Sequence, residues 1–134
     1  MADLELLKSE FIKLYGDGGE IRFFTSPGRV NLIGEHTDYS GGYVFPAAIS
    51  ASTTIAVRKR SDRTVRIKAT DLPDVVTIDM DKIGDYKDLH YGNYQAGIID
   101  EMMKDGYTLT GADMLYEDGV PHGGGLSSSA AIEV

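Results

Sequence analysis

The chain has 134 residues, of which 42% are hydrophobic and 25% are charged, the usual balance of a soluble globular protein. It contains no cysteine, which excludes disulfides, thiolate metal ligands and a cysteine nucleophile. Its 21 acidic and 13 basic residues give a net charge of -8, which disfavours nucleic acid as a partner. Because no apolar run approaches the roughly 20 residues of a membrane span and no signal-peptide pattern opens the chain, we expect a cytoplasmic protein without a membrane partner.

The beginning of the chain predicts a helix followed by strands. Apolar residues recur at helical spacing from Leu4 to Tyr15, and Gly16 follows them as a stop signal. Residues 21–25 have the composition of a strand, and Ser26-Pro27-Gly28 is typical of a turn. We therefore expect an amphipathic helix and then two strand-like runs that flank a turn.

Residues 53–70 predict a β-hairpin. A strand-like run from Thr53 and a second run, in which apolar and basic residues alternate from Val65 to Ala69, flank Ser61-Asp62-Arg63. This pattern predicts paired strands with one solvated face. The same segment concentrates basic residues, namely Arg58, Lys59, Arg60, Arg63, Arg66 and Lys68. They could form a nucleic-acid patch or lie near a nucleotide, but the acidic whole favours the solvated face of a hairpin.

The second half of the chain predicts a helix, a strand and the beginning of a further helix. Apolar residues at helical spacing from Tyr94 to Met103 indicate a helix that ends near Gly106, and residues 112–116 could be a strand. Serines 127–129 can cap a helix that extends for only about two turns before the sequence stops. We therefore expect residues 1–134 to form a single incomplete domain of a larger protein.

One candidate binding cluster consists of Glu35, His36 and Asp38, which follow a glycine between two apolar runs. Carboxylates accept hydrogen bonds from sugar hydroxyls and a neutral imidazole can donate or accept, so the cluster suits a polyol ligand. The alternative is a loop in which the aspartate and histidine cap neighbouring backbone groups. A divalent metal is disfavoured because no third clustered ligand is in view.

A second candidate lies at the start of the last helix, where three glycines at 123–125 precede the serines. Glycines allow backbone amides to turn inward around an anion, and a helix N-terminus adds oriented N–H groups, so the segment could hold phosphate. The serine hydroxyls could add phosphate contacts or one magnesium ligand. The segment matches neither the Walker A loop nor the dinucleotide fingerprint. Its alternative is a glycine turn with a serine N-cap.

The two motifs, taken together and in this order, resemble those of galactokinases. Residues 26–39, SPGRVNLIGEHTDY, are similar to the galactokinase signature, and residues 121–131 are similar to the nucleotide-phosphate motif of GHMP kinases. The resemblance spans nearly the whole chain. It implies an α+β fold, the N-terminal domain of a GHMP kinase, with a mixed β-sheet and helices on one face, here truncated and without the C-terminal domain.

The resemblance also implies a reaction, the transfer of the ATP γ-phosphate to the C1 hydroxyl of galactose in the Leloir pathway, with Mg²⁺. Arg29 would stabilise the transition state, and the galactose ligands would be Glu35, His36, Thr37 and Asp38. The residues around the ATP phosphates would be Gly123, Gly124, Gly125, Leu126, Ser127, Ser128 and Ser129. Ser129 would also bind the metal. The family's catalytic aspartate would lie beyond residue 134, so we expect the isolated chain to be inactive.

Two other functions agree with the same motifs. One is a non-catalytic regulator that senses galactose and ATP, and the other is a sister kinase for N-acetylgalactosamine or arabinose. The chain departs from the family in one segment, because members often carry a tryptophan before the Asn-Tyr pair that matches Asn93-Tyr94. Here His90-Tyr91-Gly92 takes that place, and the difference concerns packing on the nucleotide side.

Overall fold

The computed structural model describes residues 2–34, 36–121 and 126–133, with the backbone alone for Asp38, Ser129 and Glu133. Within these residues, three α-helices accompany a five-stranded sheet. The helices are α1 (Leu4–Tyr15), α2 (Asn93–Lys104) and α3 (Ser128–Glu133). The strands are β1 (Arg22–Asn31), β2 (Pro46–Lys59), β3 (Thr64–Ala69), β4 (Val75–Asp79) and β5 (Ala112–Asp118), and short 3₁₀ turns occupy Asp38–Ser40, Met80–Asp85 and His90–Gly92.

The predicted helix α1 forms with the expected end signals. The Asp3 side chain accepts hydrogen bonds from the N–H groups of Glu5 and Leu6, each at 3.1 Å, which caps the first turn. Gly16 ends the helix with a φ of 82°, a conformation that favours glycine. No helix in the described part of the chain is both long and apolar enough to cross a membrane.

The sheet is mixed, with the strand order β1-β2-β5-β3-β4. Strand β5 lies between β2 and β3, antiparallel to β2 and parallel to β3, so that Met114 is opposite both Val57 and Ile67. The predicted hairpin over residues 53–70 is therefore wrong, although both of its strands exist. An alternating pattern specifies which face of a strand is buried, but it does not determine which strand pairs with it.

Two other details of the sheet differ from the expectation. Strand β1 continues through Ser26-Pro27-Gly28, where a turn was predicted, and its register with β2 shifts between Pro27 and Arg29. Proline lacks an N–H group and is tolerated where a bulge interrupts the ladder. Strand β4 was not predicted from the sequence.

Apolar clusters lie on both faces of the sheet. On one face, Leu7 and Phe11 of α1 pack against Ala56 and Leu115. On the other face, Ile67 and Tyr116 belong to a larger cluster that also receives Ile99 of α2 and Ile132 of α3, besides Val65, Ile78 and Met80. Helices α2 and α3 thus lie on the same face of the sheet, as expected. Helix α1 covers the opposite face, whereas all helices were expected on one face.

Three arginines converge on one buried carboxylate: Arg58 on β2, Arg60 directly after β2 and Arg66 on β3. Asp113 is 1% exposed and accepts from Arg58 at 3.0 Å, Arg60 at 3.1 Å and Arg66 at 2.6 Å. Burial by itself would raise the pKa of Asp113, but hydrogen bonds from the three arginines outweigh it and hold the pKa below its ordinary value. These three arginines therefore make structural ion pairs and do not form the solvated face predicted from the sequence.

Two of these arginines, Arg58 and Arg66, also attach α1 to the sheet. Arg58 donates to the carbonyl oxygens of Tyr15, Gly16 and Gly18, each at 2.8 Å, and its guanidinium lies 5.1 Å from the centre of the Phe11 ring. Arg66 lies 4.7 Å from the centre of the Tyr15 ring. Cation–π contacts and charge-assisted hydrogen bonds thus hold the C-terminal end of α1 over β5.

Candidate functional site

The first motif begins on a strand and continues into a loop. Arg29, Val30 and Asn31 are the last residues of β1, and they pair with Ala48, Ala47 and Pro46 at the start of β2. Beyond the strands, the N–H of Leu32 donates to the Phe45 carbonyl at 2.9 Å, and the N–H of Phe45 donates to the Ile33 carbonyl at 3.0 Å. The loop that carries the predicted sugar ligands is therefore closed at its base.

Thr37 closes the same loop from inside. Its hydroxyl lies 2.6 Å from the Gly34 carbonyl oxygen and 3.0 Å from the Tyr43 carbonyl oxygen. Its own carbonyl accepts from the N–H of Gly42 at 2.7 Å. Because one hydroxyl hydrogen serves both carbonyls, the Thr37 hydroxyl has no donor left for a ligand. Of the four predicted sugar ligands, Thr37 is thus engaged by the loop itself.

Glycine is required at two points around Thr37. Gly34 has a φ of 103°, and a Cβ atom there would lie 2.5 Å from the Tyr43 carbonyl oxygen. A Cβ atom on Gly42 would lie 2.8 Å from the Thr37 Cβ atom. Both distances are shorter than real Cβ contacts, so the loop can close around Thr37 only if residues 34 and 42 are glycines.

The other predicted sugar ligands lie on either side of Thr37. His36 is exposed, has a φ of 61° and contacts the Tyr39 ring edge to face at 6.1 Å between centres. A left-handed φ is uncommon for a residue with a side chain and recurs at functional sites. Asp38 begins the 3₁₀ turn that extends to Ser40. Glu35 and the side chain of Asp38 lie outside the described part of the structure.

Arg29, the predicted transition-state residue, has an exposed side chain on β1 and no ion pair among the described residues. Its backbone N–H donates to the Leu126 carbonyl at 2.9 Å. Leu126 belongs to the second motif. The structure therefore brings the two sequence motifs into direct backbone contact.

The second motif is described from Leu126 onward. Ser127 has a φ of 61°, and its carbonyl accepts the N–H of Ala131 at 3.0 Å, so Ser127 precedes the first turn of α3. Helix α3 packs against β1, β2 and α2. The predicted phosphate residues Gly123, Gly124 and Gly125 and the hydroxyl of Ser129 lie outside the described part of the structure.

A cavity that the sequence did not predict adjoins the start of α3. Its volume is about 320 Å³, and its lining comprises Ala69, Asp71, Leu72, Tyr91, Tyr94, Gln95, Tyr116, Asp118, Ser128 and Ile132. Tyr91 is fixed at its edge because its hydroxyl donates to the Asp74 carbonyl at 2.6 Å. Tyr91 belongs to the segment His90-Tyr91-Gly92, in which the tryptophan common in the family is absent. The sequence did not indicate that this segment lines a cavity together with Ser128.

Two buried amides also escaped the sequence-based prediction. The side-chain oxygens of Asn31 and Gln95 are buried and accept no hydrogen bond from the described residues. Asn31 is the last residue of β1, directly before the first-motif loop, and Gln95 lines the cavity beside Ser128. Buried polar groups normally have partners, so the Asn31 oxygen is available as an acceptor next to the first motif.

Comparison with known proteins shows which proteins this chain is similar to. The family model described as the galactokinase galactose-binding signature matches residues 9–59. The galactokinase of Clostridium tetani is 49% identical over 96% of this chain. The crystal structure of Lactococcus lactis galactokinase complexed with galactose superposes on 98% of the chain with a TM-score of 0.92 at 40% identity. The chain thus carries the galactokinase galactose-binding signature and is similar to galactokinases along nearly its whole length.

The comparisons also define how much of the family's length is present. The chain spans about a third of the galactokinases that it matches, 32% of the Clostridium protein and 35% of the Lactococcus chain. The mevalonate kinase of Methanococcus jannaschii shares the fold over 87% of this chain, with a TM-score of 0.68 at 22% identity. The predicted fold, an N-terminal GHMP-kinase domain with a mixed sheet, is confirmed.

Proposed function

We propose that the protein to which this chain contributes transfers the γ-phosphate of ATP to the C1 hydroxyl of galactose. The observation that carries this proposal is the contact between the two motifs, the 2.9 Å hydrogen bond from the Arg29 N–H to the Leu126 carbonyl. Phosphoryl transfer depends mainly on bringing an acceptor hydroxyl, a phosphate and stabilising charge together. The first motif continues from β1 into the loop with the proposed sugar ligands, and the second motif contacts β1 at Arg29. This proximity of the two motifs suits the requirement.

On the sugar side, we assign galactose binding to Glu35, His36 and Asp38. Carboxylates discriminate between epimers because they accept hydrogen bonds from hydroxyls in fixed directions. Thr37 contributes by holding the loop closed, since its hydroxyl is engaged by two loop carbonyls. The exposed guanidinium of Arg29 is suited to stabilise charge on the transferred phosphate, because no described residue neutralises it.

On the nucleotide side, we assign the ATP phosphates to residues 123–129 and a magnesium ligand to Ser129. The cavity beside Ser128 is suited to the purine ring because Leu72, Tyr91 and Tyr94 supply apolar and aromatic surface. Among the described residues, no three His, Asp or Glu side chains are close enough together to hold a metal ion. The magnesium assignment therefore rests on the resemblance alone.

Two competing functions make different predictions in the same assay. A full-length protein that contains this chain should release ADP from ATP when galactose is added, and a glucose control should give only the background rate. A regulator would bind galactose and ATP without releasing ADP. A sister kinase would release ADP faster with N-acetylgalactosamine or arabinose than with galactose, and either result would reject the proposal.

The sugar assignment is tested by Asp38→Asn in the full-length protein. Loss of a hydrogen bond to a charged group should weaken galactose binding by about 1.5–3 kcal/mol, measured by calorimetry. Asp85→Asn serves as the control, because Asp85 is an exposed carboxylate on the Met80–Asp85 turn. Unchanged galactose affinity in Asp38→Asn would reject this role.

We further propose that residues 1–134 alone do not phosphorylate galactose. The chain spans about a third of the length of the related galactokinases, and the resemblance assigns the catalytic aspartate to a later segment. Galactose-dependent ADP release by the purified chain, above a glucose control and a protein-free blank, would contradict this expectation. The cytoplasmic location expected from the sequence stays a prediction and agrees with ATP as a substrate.

A further inference from the structure

The contact between β1 and Leu126 depends on a buried glycine. Arg29 donates its N–H to the Leu126 carbonyl, and the preceding residue on β1, Gly28, is buried beneath the same carbonyl. A Cβ atom on Gly28 would lie 2.8 Å from the Leu126 carbonyl oxygen. That distance is shorter than real Cβ contacts, and the atom it meets belongs to the backbone, so a side chain could fit only if the Leu126 segment moved.

The requirement at Gly28 concerns space rather than backbone conformation. Gly28 is not among the residues with a positive φ, so any residue type could adopt its backbone angles. Besides the Leu126 oxygen, the added atom would meet Val120 Cγ1 at 3.1 Å and Ile49 Cδ1 at 3.2 Å. These two side chains would have to shift by only a few tenths of an ångström, whereas the carbonyl is held by its own hydrogen bond from Arg29.

We propose that Gly28 is a positioning residue: its missing side chain lets the Leu126 carbonyl dock on the β1 bulge and thereby fixes Arg29 relative to α3. The docking follows from the geometry, and its catalytic consequence rests on the proposed function. Misplacing a group by about 1 Å in a reaction governed by positioning can lower the rate about a hundredfold. Gly28 therefore acts on the reaction through the spacing of the two motifs.

The docking is tested without any activity measurement, in the full-length protein that contains this chain. In the unmodified protein, the Arg29 amide should exchange slowly with solvent and show an NMR coupling across the hydrogen bond to the Leu126 carbonyl carbon. In Gly28→Ala, exchange at Arg29 should accelerate at least about tenfold, because the carbonyl is displaced. Gly84→Ala is the matched control, since a Cβ atom there meets nothing within 4 Å.

Two results of this experiment would overturn the docking. One is the absence of protection and coupling at Arg29 in the unmodified protein, a measurement that needs no variant to fold. The other is unchanged exchange at Arg29 in Gly28→Ala. Faster exchange in Gly84→Ala as well would show a general loosening of the fold and would also count against the proposal.

The catalytic consequence is tested in the full-length protein. Gly28→Ala should lower kcat with galactose and ATP by about tenfold to a hundredfold, while KM for galactose changes less than about threefold, because the sugar loop itself stays closed. Adding Val120→Ala should not restore kcat, since the close contact is with the Leu126 carbonyl. Unchanged kcat in Gly28→Ala, or recovery in the double variant, would overturn the positioning role.

The failure of this inference is distinguishable from failure of the proposed function. If the unmodified full-length protein releases no ADP with galactose, the proposed function is rejected, and the amide exchange and coupling at Arg29 still decide whether the docking exists. If the unmodified protein is active and Gly28→Ala retains its kcat, the proposed function stands and the positioning role is rejected.

Discussion

Replacing Asp113 by asparagine tests the principal ion-pair cluster of the described structure. The substitution keeps the size of the side chain and removes its charge, which faces three guanidinium groups at 2.6–3.1 Å. The amide would retain one acceptor oxygen and present N–H donors to arginines that are donors themselves. Three cations would then face one another without the anion that joins them.

The expected cost of Asp113→Asn is about 3 kcal/mol of unfolding free energy at pH 7. Removing one partner of a buried ion pair typically costs about 3–5 kcal/mol, because the remaining charge is left uncompensated. The lower end applies here, since the arginine side chains are 13%, 25% and 33% exposed and water can solvate them in part. Folded domains are stable by only about 5–15 kcal/mol, so the loss should be large in proportion.

The effect of Asp113→Asn should depend on pH in a defined direction. The folded-state pKa of Asp113 is lowered, so its charge stabilises the fold above the ordinary carboxyl pKa of about 3.9, and this contribution is lost as the pH falls through the folded-state pKa. The difference between Asp113→Asn and the unmodified chain should therefore be complete at pH 7 and shrink below about pH 4. Urea unfolding followed by far-UV circular dichroism at several pH values measures both quantities.

The matched control is Asp81→Asn, which removes an exposed carboxylate whose ion pair, within the described part of the chain, is with Arg63. Exposed ion pairs contribute about 0–1 kcal/mol, so this variant should unfold close to the unmodified chain. A loss below about 1 kcal/mol in Asp113→Asn, or an equal loss in the two variants, would refute the reasoning. So would a difference that stays constant from pH 7 to pH 3.

Two further substitutions test single hydrogen bonds. Thr37→Val keeps the shape of the side chain but removes the hydrogen bonds to the Gly34 and Tyr43 carbonyls. It should therefore weaken galactose binding in the full-length protein, measured by calorimetry, whereas Thr37→Ser should retain normal binding. Normal affinity in Thr37→Val would contradict the loop-closing role. Tyr15→Phe removes the bond from the hydroxyl to the Met114 carbonyl at 3.0 Å and should cost about 1 kcal/mol in urea unfolding; no measurable loss would show that this bond does not attach α1 to the sheet.

The sequence predicted elements better than their pairing. Helix α1 was predictable because its apolar spacing and its end signals at Asp3 and Gly16 agree, and α2 was predictable from its spacing alone. The position of β5 between β2 and β3 was not predictable, because the alternation of residues along a strand indicates which face is buried but not which strand pairs with it. The ion pairs of Asp113 could not be predicted for the same reason, since its arginine partners are distant in sequence and lie next to it only because β5 pairs with β2 and β3.

The site residues named from the sequence stay a prediction, and the sequence did not distinguish Thr37 from the other candidate sugar ligands. Residue type suggests which side chains can bind a sugar, and on that basis Thr37 resembles its neighbours. Only the closure of the loop shows that its hydroxyl faces the Gly34 and Tyr43 carbonyls. The contact of Arg29 with Leu126 was equally hidden, because no local pattern relates residues so far apart along the chain.

Pro27 and Gly28 illustrate why a local rule can be chemically right and structurally wrong. The pair was interpreted as a turn because proline lacks an N–H group and glycine lacks a side chain. The same two properties are what a bulge in β1 requires, since the register with β2 shifts at this point and Leu126 approaches Gly28 closely. Whether the chain turns or continues as a strand is decided by the ladder with β2, which holds residues on both sides of the bulge. A turn would have reversed the chain before Arg29, whereas the bulge continues the strand and brings Arg29 to the Leu126 segment.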